Sequence, residues 1–133
     1  MPQTDVVFYQ EDGQAFVFQW MKKLPAKVQD KCQAYLGQLE DFGYELRRPV
    51  ADFLRDGIHE LRPSYQGVHY RMLYFFPKRD KGKAAEPLKI VVVSHGLVKE
   101  GAVPDAEIDR AIERKRKFEE DPRAHTFKPA LKR

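Results

Sequence analysis

Cysteine is almost absent: Cys32 is the only one in 133 residues. No intrachain disulfide and no zinc site of several thiolates can form, and a reducing cytoplasm suits such usage. The start of the chain has no basic-then-apolar leader, and no apolar run approaches the roughly 20 residues that span a bilayer, so neither export nor membrane insertion is expected. Also missing are a glycine-rich phosphate loop, a His-x-x-x-His pair, a Gly-x-Ser-x-Gly turn and an acidic cluster able to hold two metal ions. Phosphate-loop nucleotide hydrolysis and two-metal nuclease chemistry therefore lack support, and no cofactor or metal is expected. No repeat or low-complexity tract interrupts the chain.

What is present suits one domain spanning residues 1–133, with a heavily charged surface. Lys and Arg number 24 against 20 Asp and Glu, a formal charge of +4 that leans toward an anionic partner. Residues 4–9 read as a strand, ended by Asp12-Gly13. Phe16, Val17, Trp20, Met21 and Leu24 recur at helical spacing and stop before Pro25. A second stripe, Val28, Cys32, Tyr35, Leu36, Leu39 and Phe42, ends at a capping Gly43, which completes a helical hairpin. Within that stripe Cys32 reads as a small buried apolar residue rather than a reactive thiol.

Three runs then carry the β-branched and aromatic residues of strands: Ile58-His59-Glu60-Leu61-Arg62, Val68-His69-Tyr70-Arg71-Met72-Leu73-Tyr74-Phe75-Phe76 and Lys89-Ile90-Val91-Val92-Val93-Ser94-His95. Residues 52–57 lead into them through an Asp56-Gly57 turn, and a long basic loop carries Lys78, Arg79, Lys81 and Lys83. Pro104-Asp105-Ala106-Glu107 starts a last helix, with Ile108, Ala111 and Ile112 on one face. From about residue 123 the chain lacks a periodic apolar pattern and reads as an irregular tail. The order implies an α+β domain, with helices on one face of an antiparallel sheet and the other face partly open.

Cations inside the apolar runs are the chemical signal. A buried charge is costly unless paired or kept at a wet face, and Arg62, Arg71 and His95 sit where a sheet normally places neutral side chains. Such a set can cleave RNA without metal. A base takes the 2′-hydroxyl proton, the oxygen attacks phosphorus, arginine forks hold the phosphoryl oxygens, and an acid protonates the leaving 5′-oxygen. Arg71 and His95 are the leading candidates, with Lys99 close behind in the chain. The alternative is structural: Arg62 and Arg71 could pair with Glu60 or Asp56 across the sheet. Tyr70, Tyr74, Phe75 and Phe76 suit the core, though an exposed ring could stack on a base.

Together with Arg47-Arg48-Pro49, Leu54-Arg55-Asp56-Gly57, His95-Gly96-Leu97-Val98-Lys99-Glu100 and residues 104–111, these runs resemble the phage-derived, HigB-like branch of the RelE/ParE toxin superfamily. The resemblance covers residues 6 to about 127. It implies a RelE-like α+β fold and the toxin of a type II toxin–antitoxin pair, cytoplasmic, with a helix-turn-helix antitoxin as partner. RelE-like and HigB-like members cut mRNA on the translating ribosome without metal, so ribosome and mRNA are implied partners as well. By the same resemblance Arg71 matches the strand arginine that contacts the scissile phosphate, Glu60 and Arg62 match a Glu-Leu-Arg motif, and Lys99 falls where further basic residues occur. His95 and Lys99 are the proposed proton carriers, and Lys78, Arg79, Lys81 and Lys83 the RNA-holding rim. No tyrosine follows Tyr74 to match the one RelE-type toxins carry near the C-terminus. ParE-like members inhibit DNA gyrase and cut nothing, and an inactive phage-derived remnant is the third reading.

Overall fold

The computed structural model describes residues 4–78 and 90–128. Strand β1 (Asp5–Glu11) turns back into β2 (Gln14–Ala15), and helices α1 (Phe16–Met21) and α2 (Ala26–Phe42) follow as the expected hairpin. A single 3-10 turn (Gly43–Glu45) leads into strands β3 (Ala51–Arg55) and β4 (Ile58–Leu61). Short β5 (Ser64–Tyr65), then β6 (Val68–Phe75) and β7 (Ile90–Val98) come next, followed by α3 (Asp105–Glu120), one-turn α4 (Pro122–His125) and β8 (Thr126–Phe127).

The strands form one sheet in the order β2-β1-β7-β6-β4-β3, with β5 added to β6 and β8 to β1. Pairing is antiparallel except that β1 runs parallel to β7. Alternation along the central strands sends Tyr70, Met72, Tyr74, Val91 and Val93 to one side, against Val17, Met21, Val28, Cys32, Leu36 and Leu39 of the hairpin. Leu73, Phe75 and Val92 point the other way, with Val7, Tyr9 and Ile58, against Ile108, Ala111 and Phe118 of α3. Each face thus has its own apolar core.

Three expectations change. The second face is not left open, because the α3 stripe of Ile108, Ala111 and Phe118 covers much of it. Residues 51–55 are a strand in their own right, since Asp56 and Gly57, with φ of 52° and 83°, make the tight two-residue turn that folds β3 onto β4. The tail is not irregular as far as residue 127. Asp121 accepts from the Ala124 amide to start α4, and Phe127 pairs with Phe8 and lies edge-on to Phe18. A two-residue strand has too little pattern to read from spacing.

Gly96 fixes how closely the hairpin sits. A Cβ built there would lie 2.2 Å from the Trp20 ring, so the indole packs directly on the β7 backbone.

Candidate functional site

The site begins with register. Glu60 on β4 stands opposite Leu73, and Arg71 on β6 stands opposite Leu97 on β7, all on the α3 side of the sheet. The Arg62 amide donates to the Val50 carbonyl, 2.8 Å away, carrying the ladder one residue beyond β4. Arg62 and Arg71 therefore meet at one carboxylate. Arg62 Nη1 donates to Glu60 Oε2 at 2.6 Å, and Arg71 Nε lies 3.0 Å from Oε1.

The two arginines differ in access. Arg71 is 5% exposed as a side chain, and Arg62 is 24% exposed. Desolvation lowers the Arg71 pKa, while the Glu60 charge works the other way and Arg62 and Arg48 add repulsion. Its Nη1 donates to the Tyr70 carbonyl at 3.2 Å. Although Arg71 Nε is near, Glu60 Oε1 has no donor aligned on it, and it is the one such buried side-chain atom among the described residues. The contact is thus a charge contact rather than a well-formed hydrogen bond.

His95 faces a different partner. The pairing of β6 with β7 shifts by one residue between Leu73 and Tyr74, making Ser94 the extra residue of a bulge. Ser94 Oγ lies 2.7 Å from His95 Nδ1, and Glu107 Oε1 of α3 lies 2.9 Å from Nε2. The bond to His95 and the charge of Arg110 hold the Glu107 carboxyl low despite its partial burial. With that group ionised, Nε2 donates to it and Nδ1 accepts from the Ser94 hydroxyl. Burial, then the charge of Arg114, push His95 down to about 4 against the pull of Glu107, so the ring is neutral at pH 7. Ser94 is fully buried and His95 nearly so, and together with the partly exposed Glu107 they clamp α3 to β7.

Of the residues singled out in the sequence, Arg62 and Arg71 are brought together on Glu60. Lys99 lies just past β7, exposed, its amide donating to the His69 carbonyl at 3.1 Å. Lys78 is exposed, and its amide donates to Glu119 Oε2 of α3 at 2.7 Å. Arg79, Lys81 and Lys83 lie outside the described residues. Tyr70, Tyr74, Phe75 and Phe76 are all buried, and the exposed rings are Phe42, Tyr44 and Phe53 instead.

Sequence reasoning gave no site role to Ser94, Glu107 or Arg114. Ser94 beside His95 was visible as a dipeptide, but a bulge has no signature in a run of valines. Glu107 was legible only as an acidic residue in a first helical turn. His59 is likewise enclosed, ringed by Tyr44, Phe53, Tyr74 and Phe76, and is lowered to about 4 by burial and then by Arg47.

Among the described residues no group of acidic, histidine or cysteine side chains is placed to hold a metal ion. No helix there is long and apolar enough to cross a membrane. The model of a family described as phage derived protein Gp49-like (DUF891) matches residues 19–116, which takes in α2, β3 to β7 and most of α3. No curated protein matches the chain.

Proposed function

The chain belongs to the phage-derived Gp49-like family, a member of the RelE/ParE-like toxins of toxin–antitoxin systems, and from that premise we propose that it is a HigB-like, ribosome-dependent mRNA endonuclease. The observation that carries this reading is the pair of arginines converging on Glu60. Two guanidinium groups held side by side can receive two oxygens of one phosphate, and the carboxylate keeps them in place until RNA arrives.

The resemblance gives the scissile phosphate to Arg71 with Arg62 in support; the greater exposure of Arg62 favours the reverse order, in which Arg62 meets the phosphate first and Arg71 adds charge beside it. Lys99, exposed beside the strand end, delivers a proton to the leaving 5′-oxygen. His95 takes the 2′-hydroxyl proton only in a state where Glu107 has released its ring, and otherwise positions α3. Lys78, with Arg79, Lys81 and Lys83 that follow it in the sequence, is assigned to holding ribosomal RNA. A helix-turn-helix antitoxin is the partner that silences the toxin.

The test is primer extension on mRNA recovered from a cell-free translation reaction, with naked mRNA and Arg62→Ala and Arg71→Ala variants alongside. Cuts in register with codons, seen only during translation and lost in a folded Arg62→Ala protein, are expected. Intact mRNA in the presence of folded wild type overturns the reading. The burial of Arg71 then favours the ParE-like alternative, in which the ion pairs are structural, and loss of gyrase supercoiling becomes the measurement. Unchanged growth on overexpression together with unimpaired gyrase would identify an inactive remnant.

A further inference from the structure

Arg114 of α3 stands where every neighbouring acid is already engaged. Glu11 accepts from the Tyr9 hydroxyl at 2.6 Å and from Lys117 Nζ at 3.2 Å. Asp109 accepts from Arg55 at 2.8 Å, Glu113 pairs with Arg116, and Glu107 accepts from Arg110 at 2.7 Å. Arg114 makes no ion pair among the described residues. Its one hydrogen bond there, Nη1 to Ser94 Oγ, is long at 3.4 Å.

The guanidinium is nonetheless held firmly. Its carbon lies 4.1 Å from the centre of the Phe16 ring and 5.6 Å from that of Tyr9, so aromatic faces orient the plane. Desolvation lowers its pKa, as does the charge of Arg110, while Glu11, Tyr9 and Glu107 act in the opposite direction. It lines an open groove of about 430 Å³ between α3 and the end of β1, together with Glu11, Asp109, Arg110, Glu113 and Lys117. Its remaining donors reach this open groove, and an oxyanion is the partner a guanidinium fork fits.

We propose that Arg114 anchors a binding site for a single phosphate group in this groove, separate from the Arg62 and Arg71 pair. Arg110 and Lys117 also line the walls but are already bonded to Glu107 and Glu11, which leaves Arg114 as the lining cation without an ion pair among the described residues. The carboxylates of Glu11, Asp109 and Glu113 in the same groove are each already paired with a cation, and the size of the groove suits a small ligand: free phosphate, or the terminal phosphate of a nucleotide. The site also reaches the clamp. Arg114 touches Ser94, Ser94 bonds His95, and His95 is faced from α3 by Glu107, Arg110 and Arg114. Phosphate on Arg114 therefore offsets one of the charges that keep His95 neutral. This inference does not depend on RNA cleavage.

The test is an NMR titration of the full chain with sodium phosphate at ionic strength held constant with sodium chloride. Expected are saturable shifts at the Arg114 Nε–Hε and at the amides of Ser94 and Phe16, with an upward move of the His95 imidazole titration. Arg114→Gln should weaken binding by about tenfold or more, Arg114→Lys should weaken it less, and Arg62→Ala should leave it unchanged. Adenosine 5′-monophosphate in a second titration separates the sources: the same shifts indicate a carried phosphate, and their absence beside a phosphate response indicates the free ion. Linear shifts without saturation, equal shifts in a folded Arg114→Gln or Arg114→Lys protein, or an equal response to acetate would each overturn the proposal.

Discussion

Glu60 carries opposite consequences for its two partners because they differ in burial. Removing it leaves Arg71 as a buried charge without a counterion, so Glu60→Gln should cost roughly 3 to 5 kcal/mol of stability in urea unfolding. Arg62→Ala removes the more exposed partner and should cost about 1 kcal/mol while abolishing mRNA cutting. If Arg62→Ala proves as destabilising as Glu60→Gln, the pair is a structural unit and its assignment to the site fails. The histidines set a second test. His59 and His95 are held near 4 against an ordinary value of 6.5, so folding favours their neutral forms. In the unfolded chain both take up protons between about pH 6.5 and 4, and stability falls with pH across that window. The loss should total a few kcal/mol, on the order of what two such shifts permit, and His59→Asn with His95→Asn should flatten that part of the urea midpoint profile. An unchanged slope in the double variant would mean that other groups, such as Glu11 and Glu107, govern acid unfolding.

Elements are held by different means on the two faces of the sheet. The hairpin is held by contact: Gly96→Ala puts a methyl into the Trp20 ring and should lower stability by about 1 to 3 kcal/mol, with a change in tryptophan emission as α1 is displaced. A silent substitution in both readouts would show that α1 has room to move. Helix α3 is held by charge at its edges, with Arg55 bridging Asp105 and Asp109, Lys117 bonding Glu11 of β1 at 3.2 Å, and His95 bonding Glu107. The exposed bridges contribute little singly, so the buried His95 clamp and the Ile108, Ala111 and Phe118 stripe dominate. Most of these elements were legible, because the stripes from Phe16 to Phe42 and the apolar strands have clear periods. Strand β3 was not, since its sequence Ala-Asp-Phe-Leu-Arg alternates weakly and becomes a strand by pairing with β4.

At the scale of the whole molecule, distant ends of the chain meet on β1. It takes β7 on one edge and, on the other, both β2 and the tail strand β8, while His125 stacks on Tyr9 with ring centres 4.9 Å apart. Ending the chain after residue 121 should therefore lower the melting temperature by several degrees, about what loss of 1 kcal/mol or more implies for a chain of this size. An unchanged melting point would make the tail dispensable to the fold. The positive balance acts at this scale as well. If RNA backbone is the partner, association with ribosomes should weaken steeply and log-linearly with salt, and a flat dependence would count against phosphate contacts.

The sequence by itself determined the class of fold, the hairpin, the central strands and the presence of cations within them. Those features follow from local period and from composition. It also held the motifs through which the chain resembles its toxin relatives. Tertiary structure decided which charges meet. Arg62 and Arg71 converge on Glu60 because β4 and β6 pair in one register, and His95 turns to Glu107 because a bulge at Ser94 faces the start of α3. Register and helix placement come from contacts between residues far apart in the chain, and no local pattern records them.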